Sequence, residues 1–180
     1  MSSFTNPAGE SGTAADAYVA ALLELLGDRD PLEVLAELPQ VLPELTAALD
    51  DAALRRPEKP GKWSVMEVVQ HLSDTELVHG YRLRMILAHP EPEIQAYDQE
   101  LWASELHYNQ AGLAEALEVV RVLRGANLRL VRAQDGARLD RFGWHAERGK
   151  ESVRRLTRMI AGHDLVHRRQ IRRIRQAIGS

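Results

Sequence analysis

Between Leu156 and Ile178 the apolar positions of this chain return every three or four residues, and two of those positions are histidine. The seam runs Leu156, Ile160, His163, His167, Gln170, Ile174 and Ile178, flanked by Met159, Val166 and Ile171. That spacing is the buried stripe of an α-helix. Arginines at 154, 155, 158, 168, 169, 172, 173 and 175 occupy most of the remaining surface. The histidines therefore stand where such a helix packs leucine, and a fold for this chain has to accommodate two imidazoles on an inward face.

The same period recurs through most of the 180 residues, whereas strand signals are weak. Thr13 to Leu26 reads as a first helix stopped by Gly27. Asp30 and Pro31 open the next segment as N-cap and first helical residue. Pro39 and Pro43 are expected to divide it into two short helices. After the loop "RRPEKPGK", Ser64 and Glu67 form an S-x-x-E capping box, and the helix they start runs to Pro90. The segment "EPEIQAYDQELWASELHY" reads as irregular with a helical turn or two. Another long helix spans "NQAGLAEALEVVRVLRGANLRLVRAQ", and "DGARLDRFGWHAERGKE" reads as a polar loop. The last helix covers about Ser152 to Ile178. About four helices of 18 or more residues predict an all-α four-helix bundle with short extra N-terminal helices.

Composition narrows the function. One domain over 13–180 suits the length, with 1–12 as a disordered lead-in that lacks the features of a signal peptide. No 18-residue apolar run exists, so no membrane span is expected, and a net charge of -3 argues against nucleic acid. The absence of cysteine excludes a disulfide scaffold, a thiolate metal site and a Cys nucleophile, and fits a cytoplasmic setting. Charge is unevenly spread. Residues 1–58 hold eleven acids against three arginines, and 151–180 hold eight arginines against Glu151 and Asp164. Complementary helices lying side by side explain this; a basic surface for an anionic ligand is the alternative.

Residues i and i+4 of a helix share one face at roughly 6 Å. His163 and His167 so placed can hold one metal ion, as the two histidines of H-E-x-x-H sites do, or can be core histidines satisfied by hydrogen bonds. A third ligand has to come from another helix. His71 sits mid-helix on a mixed face with Val68, Thr75, Val78, Arg82, Met85 and Ile86, as a pocket wall requires, and His79 is the second choice. His89 reads as a C-terminal cap and His107 as surface or packing, while His145 belongs to a loop able to hang over a pocket. Glu67 could accept a hydrogen bond from His71, although its capping role explains it equally well. Asp164 reads as a surface acid or a bond between helices. Gln170 is expected in the pocket wall or bonded across the bundle, and Arg82 could meet an anionic group of a substrate. Trp63, Trp102 and Trp144 read as core or loop anchors.

Two motifs, W-S-x-x-E-x-x-x-H-L from Trp63 and H-D-x-x-H-x-x-Q-I from His163, carry a family resemblance. With "YDQELWASELHY" and "RFGWHAERGKESVRRLTRMIAGHDLVHRRQIRRIR", the stretch from about Leu32 to Ile178 resembles the DinB-like superfamily of small four-helix bundles, in the branch described as metal-dependent hydrolases. The resemblance implies a divalent metal, zinc or nickel, held by His71, His163 and His167 with water in its open positions. It also implies a small-molecule substrate, a homodimer and a link to stress response. Three function classes follow: a metal-dependent hydrolase; a thiol S-transferase using bacillithiol, mycothiol or glutathione; and a metal-binding stress protein without catalysis. No serine or acid is singled out as a required base, so the catalytic groups beyond metal-bound water are left open, with His145 the one candidate.

Overall fold

The computed structural model describes residues 13–179; the lead-in expected over 1–12 lies outside them. The chain order is α1 (Thr13–Leu26), α2 (Pro31–Thr46), α3 (Asp51–Arg55), α4 (Val65–Ala88), β1 (Glu93–Ile94), α5 (Gln99–Glu105), a 3-10 turn (Tyr108–Gln110), α6 (Leu113–Arg132), α7 (Gly136–Leu139), β2 (Phe142–His145), β3 (Gly149–Ser152) and α8 (Val153–Ile178). Helices α2, α4, α6 and α8 close a ring in which α4 and α2 each touch both α6 and α8, and α1 lies along the outside of α8. Among the described residues this is the expected all-α four-helix bundle. Only three of its helices reach 18 residues, because α2 has 16.

The helix ends follow local chemistry. Asp30 accepts from Leu32 N–H, and Ser64 and Glu67 complete their capping box reciprocally. Ser152 caps α8, and Gly179 ends it in the left-handed region at φ 77°. At Gly162 a Cβ would lie 2.2 Å from the backbone oxygen of Leu22, so this glycine lets α1 approach α8 to backbone contact.

Two expectations are corrected. Pro39 and Pro43 do not divide α2, which is continuous from Pro31 to Thr46. A proline removes the hydrogen bond to the carbonyl four residues back. For Pro39 that carbonyl is Leu35 O, and the buried Arg124 donates to it at 2.8 Å from α6. A tertiary donor thus replaces the lost helical one. The polar loop around Trp144 is instead a hairpin: β2 and β3 pair antiparallel, Phe142 opposite Ser152 and His145 opposite Gly149, and β1 adds in parallel with Ile94 opposite His145. Three residues, 146–148, connect the strands, and Gly149 takes φ +65°. That is the three-residue hairpin with a glycine in the left-handed region.

The apolar core has two halves. One joins α1 to the C-terminal half of α4 and the N-terminal half of α8, through Leu22, Leu83, Ile86, Leu156 and Ile160. The other joins α3 to the opposite halves of those two helices, through Leu54, Val65, Val69, Ile171 and Ile174. Between them the bundle has a polar waist holding His71, Glu76, Arg124, Asn127, His163, Asp164 and His167, all buried. The arginines of α8 meet acids of the N-terminal region: Arg168 pairs with Glu37 at 2.7 Å and Arg173 with Glu58 at 2.8 Å. No helix among the described residues is long and apolar enough to cross a membrane.

Candidate metal centre

Helix α4 presents His71 and helix α8 presents His163 and His167 at one point of the waist. His163 Nε2 lies 3.0 Å from His71 Nε2 and 3.1 Å from His167 Nε2. Each residue is buried, and the three form a group able to hold a metal ion. The ring of Trp63 packs against His71 with centroids 5.0 Å apart, limiting the tilt of that imidazole.

Proton counting tests whether this cluster suits a cation. His167 Nδ1 is 2.7 Å from Gln170 Oε1, so Nδ1–H donates there and Nε2 keeps its lone pair. Charged imidazoles are disfavoured. Burial, with His167 beside it, pushes His71 well below its ordinary value; burial and the other two rings do the same to His163. Burial, opposed by the Gln170 bond, pushes His167 down to about 4. Three neutral rings meet at His163 Nε2, which has at most one hydrogen to share between two close neighbours. With His167 Nε2 holding a lone pair, that one hydrogen cannot make a well-aligned bond to both neighbours, so at least one close contact is left without a full hydrogen bond. A divalent cation resolves all three at once. Nitrogens at tetrahedral corners around zinc are about 3.3 Å apart, close to the spacing here. The donor set fits a borderline divalent metal.

The outer partners of the rings differ. Only His167 has one, in Gln170, while His71 Nδ1 and His163 Nδ1 are buried without a hydrogen-bond partner. Gln170 is thus neither part of the cavity lining nor bonded across the bundle; it orients His167 from one turn further along the same helix. Glu67 does not reach His71. Its Oε2 accepts from Ser64 N–H at 2.7 Å, which commits the carboxylate to the helix cap.

A cavity opens beside the histidines, lined among others by Tyr18, Thr75, His79, Arg82, His145 and His163. Thr75 and Arg82 of α4 border this space from one side. His145 is buried and held on the hairpin rather than hanging from a loop. His79 faces the same space without joining the histidine cluster. His89 caps the end of α4, and His107 adopts a left-handed conformation before the 3-10 turn.

A second polar cluster, not anticipated from the sequence, lies in the same waist. Arg124 donates to Asp164 at 2.6 and 3.2 Å, to Glu76 at 2.6 Å and to Leu35 O at 2.8 Å. One side chain of α6 thereby reaches α2, α4 and α8. Asn127 adds a bond to Glu76 Oε2 at 3.2 Å, and Gly80 leaves room for it, since a Cβ there would lie 2.6 Å from Asn127 Oδ1. Asp164 is the bond between helices rather than the surface acid. Burial pushes its carboxyl up to about 6 against the pull of Arg124; burial also opposes the charge on Arg124, but the two carboxylates hold its guanidinium ionised. The signal was available: Ala116, Val120, Arg124, Asn127 and Val131 form a seam in α6 like the one that exposed His163.

Comparison with known proteins agrees with this architecture. A family profile describing the DinB superfamily matches residues 35–171. "Putative metal-dependent hydrolase YfiT" of Bacillus subtilis (strain 168) is 27% identical over 116 residues, 64% of this chain and 65% of that protein, so the match spans just under two thirds of this relative. "Putative metal-dependent hydrolase OB0782" of Oceanobacillus iheyensis is 26% identical over 74% of this chain and 77% of its own length. The solved structure of Bacillus subtilis YfiT, described as a probable metal-dependent hydrolase with an unusual four-helix bundle topology, superposes with a TM-score of 0.78 at 23% identity, over 83% of this chain and 86% of that one. At that identity the superposition speaks for the fold alone. The profile match, covering most of the chain, shows that this protein belongs to the DinB superfamily.

Proposed function

We propose that this protein is a metal-dependent hydrolase of a small molecule, with zinc or nickel held by His71, His163 and His167. The observation that carries the reading is the convergence of three neutral Nε2 atoms, two of the contacts being 3.0 and 3.1 Å, in the polar waist of the bundle. A divalent metal on three imidazoles supplies Lewis acidity for activating water or polarising a carbonyl. The names carried by the relatives support the same reaction class.

The residues of this chain have separable tasks. Gln170 holds His167 in the tautomer that leaves Nε2 free to bind, and Trp63 restrains His71 from the side. His163 belongs to both the cluster and the cavity wall, so it links the metal position to the space where a substrate enters. Buried apolar neighbours such as Leu22 keep bulk water from the inner side.

The test combines metal analysis of the purified protein with hydrolysis of simple ester and amide reporters. The reading expects about one equivalent of divalent metal, and turnover that chelation abolishes and zinc or nickel restores. Bound metal with turnover only when a low-molecular-weight thiol is present, and with that thiol consumed, would replace hydrolysis by thiol transfer. A protein without metal, or with turnover indifferent to chelator, contradicts the proposal.

A further inference from the structure

Several residues around the cavity keep buried polar atoms that nothing in the protein satisfies. Arg82 is 7% exposed and His145 3% exposed. Arg82 donates from Nη2 to Gln95 O at 2.6 Å, and its Cζ lies 5.8 Å from the centre of the Tyr97 ring. Its Nε–H has no partner. His145 Nδ1 lies 3.1 Å from the backbone nitrogen of Glu147. A backbone N–H only donates, so Nδ1 must carry the lone pair and Nε2 the hydrogen. That Nε2–H has no partner either. The two side chains that carry these donors, one of them a cation, line the same cavity, which Glu147 and Arg148 also border. A buried donor without an acceptor is costly, more so on a charged group, so an acceptor from outside the chain is favoured.

The size of the space limits what that acceptor is. The cavity measures about 40 Å³. A single water needs roughly 10–15 Å³ on this measure, so the space takes a few water-sized groups. A planar carboxylate fits these dimensions, and the bulk of a larger substrate would remain in the mouth.

We propose that Arg82 Nε–H and His145 Nε2–H form a subsite for the terminal carboxylate of a small-molecule substrate, beside the metal position marked by His163. The assignment rests on the proposed function for its catalytic meaning, but the subsite is a property of Arg82 and His145 and can be tested without turnover. Charge-assisted hydrogen bonds from a guanidinium and an imidazole orient such a group. The reactive bond of the substrate is then placed by its acid end, which gives the cavity a specificity for anionic over neutral analogues.

The test uses propionate and its neutral isostere propionamide as probes. Binding is followed by NMR through the Arg82 Nε–H and His145 Nε2–H resonances, with metal-loaded and with chelator-treated protein. The expected result is saturable binding of propionate in both forms and none of propionamide. Arg82→Lys keeps the charge but loses the Nε–H. His145→Asn keeps an acceptor for Glu147 N–H but loses the Nε2–H. Each is expected to weaken propionate about tenfold, the value of one hydrogen bond to a charged group. Equal binding of propionamide, propionate affinity unchanged in both variants, or propionate binding that vanishes on chelation overturns the subsite. Metal content, read separately on the same samples, distinguishes that failure from failure of the metal reading. A metal-free protein that still binds propionate through Arg82 and His145 would keep the subsite and lose the hydrolase.

Discussion

The waist of this bundle contains two buried polar clusters a few residues apart, and they are built on opposite terms. Around Arg124 the charges are balanced: one cation meets two carboxylates and a backbone carbonyl, from all four helices of the ring, and only its Nε–H is left without a partner. Around His163 the bonds are open: three neutral rings converge, two Nδ1 atoms lack partners, and too few hydrogens are available for the contacts. Burial penalises polar groups in both places, but only in the first cluster are the charges paired within the chain. The contrast separates structural polarity from polarity that awaits a ligand. It also gives the Arg124 cluster a role. By joining α2, α4, α6 and α8 beside the histidines, it holds the helices that carry His71 and His163 at a fixed spacing.

The sharpest way to break this comparison is to open the balanced cluster. Arg124→Met leaves Glu76 and Asp164 as buried charges and Leu35 O without its donor, and should cost about 3–5 kcal/mol in denaturant unfolding. Replacing Glu76 and Asp164 by leucine in the same chain should recover much of that loss. A cost below about 1 kcal/mol for the single change would show that the network does not hold the waist together.

In the open cluster a comparable deletion should affect binding rather than folding. Gln170→Leu removes the bond that sets the His167 tautomer, and should weaken metal binding about 10–100-fold. Titration with a competing chelator reads this directly. An unchanged affinity would mean that Trp63 and packing alone orient the ring.

Acid should act on the histidines that neither cluster engages as a ligand. Burial, with Arg124 and Arg82 nearby, pushes His79 down to about 3; burial, with Arg148 adding to it, pushes His145 down to about 4. Both groups are neutral in the folded protein, whereas the unfolded chain takes up protons near pH 6.5. Their contribution is therefore complete above about pH 6.5 and is lost as pH falls toward 4. Unfolding of metal-free protein across that range should show the decline, to which the lowered His71, His163 and His167 add in the same direction, and His145→Asn should flatten the part due to that residue. Stability independent of pH between 6.5 and 4 would contradict the neutral assignment.

The smallest effect distinguishes two possible tasks for one residue. Glu67→Ala should cost about 1 kcal/mol through loss of the capping box and leave metal affinity unchanged, because the carboxylate bonds Ser64 and not His71. A drop in metal affinity without loss of stability would return Glu67 to the histidine side.

What could be read from the residues alone followed from local rules. Ser64 with Glu67, Asp30 with Pro31, and the periodic seam of α8 each depend on neighbours within a turn, and the structure places them as read. The errors arose where a distant partner changes a local rule. Pro39 should interrupt a helix, but Arg124 supplies the hydrogen bond that the neighbouring turn cannot. The strands around Trp144 are four residues long and are supported by β1, about 50 residues earlier in the chain. Gln170 shares the seam of His163 by spacing, yet its side chain turns back to His167. His163 and His167 were legible because their seam positions are anomalous for a packed helix, whereas His71 was one candidate on a mixed face until the family resemblance singled it out. Arg124 is equally anomalous in α6, and the same count applied there would have found it.

The proposed metal centre requires three nitrogens acting as one site, and the direct measurement is titration of chelator-treated protein with zinc while unfolding is monitored. One equivalent should bind and raise the unfolding midpoint. His71→Ala, His163→Ala and His167→Ala should each abolish that rise, while Glu67→Ala should keep it. Zinc that fails to bind the unaltered protein, or that stabilises the three histidine variants as well as the parent, would contradict the claim that these histidines form a metal centre.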